Sequence, residues 1–261
     1  MAIQKDSVGG TLLVAFLVCL VCAVVVSTAA VALRPLQEQN RVLDRQINIL
    51  RAADMYQPGM DVQAAFDTIE RRFIDIRTGD EVEMSEDYDQ RRASRDPERS
   101  RRLQDDPASI RRQALVAEVY LARTDDGRLN RIILPIHGYG LWSTMYGFLA
   151  LEPDAQTIAG IGFYEHGETP GLGGEIDNPR WQANWEGKQL FDEDGNVAFQ
   201  VIKGSVDAGT PDRQHKVDGL SGATLTANGV SNTVRFWVGE QGFGPFLSRM
   251  QQEYASARGE G

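Results

Sequence analysis

Residues 10–33 carry no charged side chain and are almost wholly apolar. An α-helix rises ~1.5 Å per residue and a bilayer's hydrocarbon core is ~30 Å thick, so about 20 such residues suffice to cross it. Lipid cannot satisfy backbone amides, whereas a helix satisfies them internally. The run therefore predicts a membrane-spanning helix over 10–33, after a short tail over 1–9. Ala30-Val31-Ala32 offers a signal-cleavage pattern, but the run is longer than the ~7–15 residues of a signal core. Val18 and Val21 stand before Cys19 and Cys22, where a lipoprotein anchor wants a small residue. The expectation is an uncleaved anchor in contact with lipid. Lys5 precedes the span and Arg34, Arg41 and Arg45 follow it. Read by charge alone, that bias puts the large domain in the cytoplasm, although a short tail and a long downstream domain weaken the rule.

Cys19 and Cys22 are the only two cysteines, so the rest of the chain holds no disulfide framework and no cysteine metal site. The formal net charge of −10 argues against nucleic acid as a partner, which requires a basic face.

Pro35 is placed to open a new helix. Leu36, Val42, Leu43, Ile47 and Leu50 then recur at helical spacing, predicting an amphipathic helix over 36–53. Pro58-Gly59 marks its end, and 61–72 reads as a second short helix. Residues 78–112 are rich in Glu, Asp and Arg, with Arg91, Arg92, Arg95, Arg99, Arg101 and Arg102 in close succession. They read as a solvated, partly helical connector, or else as a docking face for an acidic partner. From Ala114 the character becomes α/β. Strands are expected over 114–122, 131–136, 144–151, 157–164 and 197–202, with turns at Asp125-Asp126-Gly127 and Glu152-Pro153-Asp154. Helices are expected over 178–187, carrying Trp181 and Trp185, over 226–238 and over 243–254. The expected domains are thus the tail 1–9, the span 10–33, a helical and charged connector 34–113, and an α/β (α+β) domain over 114–261.

Val217–Thr226 carries the chemistry. Small residues at 221–223 allow a bulky ligand close to the backbone. Ser221, Thr224 and Thr226 supply hydroxyls, and the helix that follows presents free amides suited to phosphate. From the residues alone this is either an anion site or an ordinary cap in which Thr224 accepts from a downstream amide.

Asp218-x-x-Ser221-Gly222-Ala223-Thr224 resembles the flavinylation motif of the FMN-binding domain family. The resemblance implies that a flavin transferase splits FAD and leaves FMN covalently on the Thr224 hydroxyl through a phosphoester, with Asp218 serving transferase recognition. A threonine hydroxyl is a weak nucleophile, so an external catalyst is needed. His137–Ser143, Glu165–Gly174, Lys203-Gly204 and Gly242–Leu247 are similar to further segments of the NqrC family, flavin-bearing components of sodium-translocating NADH:quinone reductases. The acceptor motif alone would also fit the related RnfG family of Rnf complexes, but the length, the connector and the tail favour NqrC. The resemblance implies an electron carrier in a six-subunit complex of the bacterial inner membrane, with the flavin domain on the periplasmic side, against the charge reading. Expected cofactor-binding residues are Ser221, Gly222, Ala223, Leu225, Thr226, Trp142, Glu168, Thr169, Gly171, Leu172 and Lys203. Trp142 would border the isoalloxazine, Leu172 line an apolar wall, and Glu168 and Thr169 touch the ribityl chain or ring edge. Lys203 or Lys216 would balance negative charge. A flavin-free anchored binding protein is the contrasting reading.

No dinucleotide fingerprint and no phosphate-binding loop of the nucleoside-triphosphatase type occurs in the sequence. His137, His166 and His215 have no metal-type spacing, and no metal is expected. The span holds no acidic residue to coordinate sodium, so other subunits must form the ion path.

Overall fold

A computed structural model describes residues 8–124 and 126–259. Lys5, most of the expected tail 1–9, and Asp125 of the expected turn lie outside them. The chain forms two compact units divided between Arg45 and Gln46.

Helix α1, Val8–Ala52, contains the apolar run, which is long and apolar enough to cross a membrane and has no part of its most apolar window buried by protein. Pro35 lies inside α1 and does not open a second helix. A proline forfeits one backbone bond; here the ladder continues on both sides, and Arg34 and Glu38 pair one turn apart across it. Leu36, Val42 and Leu43 are exposed, so the expected apolar stripe is buried by protein only at its far end.

In the second unit come α2 (Val62–Phe66), β1 (Ile69–Asp75), α3 (Gln90–Ala93), β2 (Ser100–Arg102) and β3 (Arg112–Ala114). Then follow β4 (Val116–Arg123), β5 (Leu129–Tyr139), β6 (Thr144–Leu151), β7 (Ile158–Glu165), α4 (Pro179–Gln182), β8 (Gln200–Val201), β9 (Lys216–Val217), α5 (Thr224–Val238) and α6 (Gly244–Gly259). The central sheet is antiparallel with strand order β1-β4-β5-β6-β7. Side chains alternate across a strand, and both faces of this sheet are covered, which accounts for the unbroken apolar run Ile132-Ile133-Leu134. Ile132, Leu134 and Ile136 join Val230, Val234 and Trp237 of α5 in one core. Ile133, Tyr120, Phe148 and Ala150 join Ile49, Leu50, Ala52 and Ala53 in the other.

Several sequence expectations are corrected. Residues 61–72 are a short helix capped by Asp61, whose carboxylate accepts from the amides of Gln63 and Ala64, followed by the sheet edge β1. That strand was hidden because its alternation is written in charges, which suit an edge. Arg72 pairs with Glu70 and Glu81, while Arg71 reaches the fully buried Glu118 at 2.9 Å. Residues 78–112 are partly helical and largely solvent-facing, with Arg92, Arg95, Arg99 and Arg102 exposed, but the segment is packed onto the fold. Tyr88 and Ala93 are buried with Ala114, β2 and β3 form a hairpin, and Gln113 and Arg101 both donate to the carbonyl of Gln241. The second compact unit therefore begins near residue 46 rather than 114. The expected strand 197–202 shrinks to β8, paired in parallel with β9. The expected helix 178–187 is α4 plus a 3-10 turn, Ala183–Trp185.

Helix α5 lies unusually close to β5. A Cβ on Gly229 would sit 2.5 Å from the carbonyl oxygen of Tyr139, and one on Gly138 would sit 1.9 Å from Thr233 Oγ1. Gly138→Ala is accordingly expected to destabilise the protein by about 2 kcal/mol through overpacking, seen as a lower denaturation midpoint. An unchanged midpoint would mean that α5 can move off the strand freely.

Candidate functional site

Thr224 is the first residue of α5. The capping position before it is Ala223, which makes no side-chain cap bond, so Thr224 is not the ordinary cap that the motif could have been. Its side chain is exposed, as are Ser221 and Gly222. Gly222 has φ +71°, a left-handed conformation natural to glycine, and it turns the chain into the helix. An exposed hydroxyl thus stands beside the unpaired amides of a helix start, which carries partial positive charge.

Three segments distant in sequence meet here at one carboxylate. Glu168, only 5% exposed, accepts from the amides of Trp142 at 2.9 Å and Leu141 at 3.0 Å, with Ser143 at 3.4 Å. Its other oxygen accepts from the hydroxyl of the buried Thr226 at 2.6 Å. Burial alone would push this carboxyl up, but the Thr226 hydroxyl and the amides of Trp142, Leu141 and Ser143 outweigh it. The carboxyl is held below its ordinary range. Gly140 and Gly173 make room for it, since a Cβ on either would come within 3 Å of a Glu168 oxygen. Glu168 and Thr226 therefore organise the site from beneath. Their polar groups are engaged with each other and with the loop.

The second segment is held by further bonds. Gly167 N donates to Ser143 Oγ at 2.6 Å, and Glu168 N donates to His166 Nδ1 at 3.1 Å. His166 Nε2 faces Asp177 Oδ2 at 2.7 Å; with Nδ1 accepting, this nitrogen is the donor. Gly171, at φ +76°, closes a turn in which the Thr169 carbonyl accepts from Leu172 and Gly174. Thr169 itself is exposed.

Each of the three segments carries large apolar side chains open to solvent: Trp142 is 65% exposed, Leu225 61%, Leu172 44% and Leu141 38%. A Cβ on Gly222 would touch Leu172 Cδ2 at 3.0 Å, so Leu172 lies over the turn before Thr224. Exposed apolar side chains on segments that converge on one carboxylate are the kind of surface that marks a binding site.

Asp218 is half-buried and tied into the fold. Its carboxylate accepts from the amide of Val206 at 2.7 Å and its carbonyl from Trp181 Nε1 at 2.8 Å. Lys203 is exposed and forms no hydrogen bond or ion pair among the described residues. Lys216 is committed to the carbonyl of Pro211 at 2.7 Å. His137 packs against Tyr146 and Trp237, and burial pushes its pKa down to about 4, so it is neutral near pH 7. His215 is buried, its Nδ1 3.0 Å from the carbonyl of Gln189. Among the described residues no group of three or more His, Cys, Asp or Glu is disposed to hold a metal.

Sequence reasoning gave no role to Ser143 or Gly229. The first holds the second segment, and the second lets α5 approach β5. A serine inside a glycine-rich segment was the available signal for one of them. Nothing in the sequence flags Gly229.

Residues 140–239 match the FMN-binding domain family. The NqrC protein of the Na(+)-translocating NADH-quinone reductase of Yersinia pestis is 51% identical over 256 residues, covering 95% of this chain and 95% of that protein. Its counterpart from Pseudomonas aeruginosa is 50% identical over 257 residues, covering 95% of this chain and 98% of that protein. The crystal structure of Shewanella oneidensis NqrC superposes with a TM-score of 0.75 at 38% identity, covering 80% of this chain and 97% of that one.

Proposed function

The chain belongs to the NqrC family of Na(+)-translocating NADH-quinone reductases, and we propose that it serves there as an electron carrier whose FMN is esterified to the Thr224 hydroxyl. As a member of that family it is one subunit of a redox-driven translocase and is not catalytically complete alone. Likeness over 95% of the chain to NqrC proteins leaves the Rnf alternative without a supporting observation.

The observation that carries the flavin reading is the exposed Thr224 hydroxyl at the start of α5, next to the exposed Leu225 and to the turn that Leu172 overlies. These residues fit FMN. The hydroxyl would take the phosphoester bond, and the amides of the first turn of α5 would offset the remaining phosphate charge. Trp142, Leu141, Leu172 and Leu225 are the apolar side chains that would border the ring and keep water from it. Ser221, Gly222 and Ala223 leave space for the phosphate and ribityl chain, and Thr169 and Gly171 border it. Lys203 offers an unpaired cation. Glu168 acts one step back, holding the Trp142 loop and α5 in register. Bound FMN supplies reversible uptake of electrons, a chemistry that belongs to the cofactor. The covalent link keeps it in place as its charge changes.

Loading requires a flavin transferase, with Asp218 and the loop it anchors at Val206 as the recognition feature. Mass spectrometry of the peptide containing Thr224, from protein matured with that enzyme, tests the proposal. A peptide of unmodified mass sinks it and leaves an anchored α/β domain without a redox role.

We further propose that the span 10–33 crosses the inner membrane once, with the second compact unit, from Gln46 on, as the flavin carrier on the periplasmic side and the other members of a six-subunit complex as its neighbours. Ser256, exposed on α6, is expected to be labelled as Ser256→Cys by a membrane-impermeant maleimide added to spheroplasts. Cys19 and Cys22 lie within the apolar span and are out of that reagent's reach. Labelling only after lysis would place the domain in the cytoplasm.

A further inference from the structure

Helix α3 belongs to the segment whose sequence suggests a connector, yet it reaches the second signature segment. Asp89 caps it by accepting from the amide of Arg92 at 2.8 Å. Gln90 is buried and exchanges two bonds with Glu118 of β4: its side-chain oxygen accepts from the Glu118 amide, and its own amide donates to the Glu118 carboxylate. Arg71 donates to the same carboxylate and to the carbonyls of Glu86 and Tyr88. The next residue, Arg91, is thereby set in place. Its guanidinium lies 3.7 Å from the centre of the Tyr146 ring and forks onto both oxygens of Glu165, at 2.6 and 2.7 Å.

Glu165 is where β7 ends. It pairs with Tyr146 of β6 beside one of the two register shifts in that ladder. Three residues later the chain must present Glu168 to the amides of Leu141 and Trp142. An exposed ion pair is ordinarily worth little. This one is bidentate, stacked on an aromatic ring and carried by a locked helix, the geometry in which such a pair holds its position.

We propose that the Arg91–Glu165 fork is a positioning device for the candidate site, holding the end of β7 so that Glu168 is delivered to the Trp142 loop. Its consequence for the flavin rests on the reading of Thr224 as the acceptor; its effect on the loop does not.

The test uses the full chain in detergent, with Arg91→Gln, Arg91→Lys and Glu165→Gln. Amide hydrogen exchange is read at Leu141 and Trp142, with Ile132 in β5 and Val234 in α5 as references. Each variant is expected to speed exchange at 141 and 142 by roughly tenfold, the scale of one bond to a charged group, and to leave the references unchanged. In flavin-loaded protein, Arg91→Gln and Glu165→Gln should move the flavin's midpoint potential in the same direction, although they change the local charge oppositely. Unchanged exchange at 141 and 142 overturns the proposal. So do opposite potential shifts with Arg91→Lys behaving as wild type, which would make the fork a source of charge rather than of position. Wild-type protein that never takes up flavin would defeat the Thr224 reading alone, and the exchange measurements would still decide this one.

Discussion

Thr224→Ala, matured beside its flavin transferase, is expected to show no flavin fluorescence on a denaturing gel and the intact mass of the bare polypeptide. The expected effect is all or none, because the bond has one protein atom to form on. The fold should survive. Thr224 is exposed and caps nothing, and alanine at an exposed helical position is at least as favourable as threonine. The buried face of α5, including Val230, Val234 and Trp237, is untouched, so loss of flavin could not be put down to unfolding. Thr224→Ser keeps an oxygen at the same place and should retain fluorescence. Fluorescence that survives denaturation in Thr224→Ala would move the attachment elsewhere, with Ser221 or Thr226 as the remaining hydroxyls of the motif. Thr226 is buried and engaged with Glu168, which leaves Ser221 as the one to examine.

The parts of the fold legible in the sequence are those written in local pattern. The apolar span, the central strands β4 to β7 and the helix after the acceptor motif follow from periodicity and turn residues within short windows. The edge strand β1 and the 78–112 segment were not legible, because their charges are satisfied by partners far along the chain. Arg71 finds Glu118, 47 residues on, and Arg101 finds Gln241, 140 residues on. A local window sees only unpaired charge and reports solvent. The site divides the same way. Thr224 stands out through its motif and its place before a helix. Glu168 stands out only as an acidic residue among glycines, which suggested contact with a ligand. Its part as the meeting point of residues 141–143 and 226 depends on three segments converging. Arg91 stood out only as one of a run of arginines, which suggested solvent or an acidic partner rather than Glu165.

Glu168→Ala is expected to destabilise the second unit by about 3 kcal/mol, since it strands one buried hydroxyl and takes the acceptor from partly buried amides. The hydroxyl of Thr226, fully buried, loses its acceptor, and so do the amides of Leu141 and Trp142. For a domain of this size that corresponds to a fall in Tm of roughly 10 °C. Glu168→Gln keeps the shape but turns an amide group toward donors, so it should lose about half as much. The sign of the pH dependence follows from the lowered pKa. A carboxyl whose folded pKa lies below its unfolded value near ~4.3 contributes fully above that value, and the contribution fades as pH falls through the folded pKa. The Tm gap between wild type and Glu168→Gln should therefore be full near about pH 7 and shrink once the pH drops below roughly 4. Thermal denaturation of the two proteins across that range is the measurement. A gap that holds its size into acid would mean the carboxylate's charge is not what grips the loop, and that shape alone keeps the 141–143 loop against Glu168.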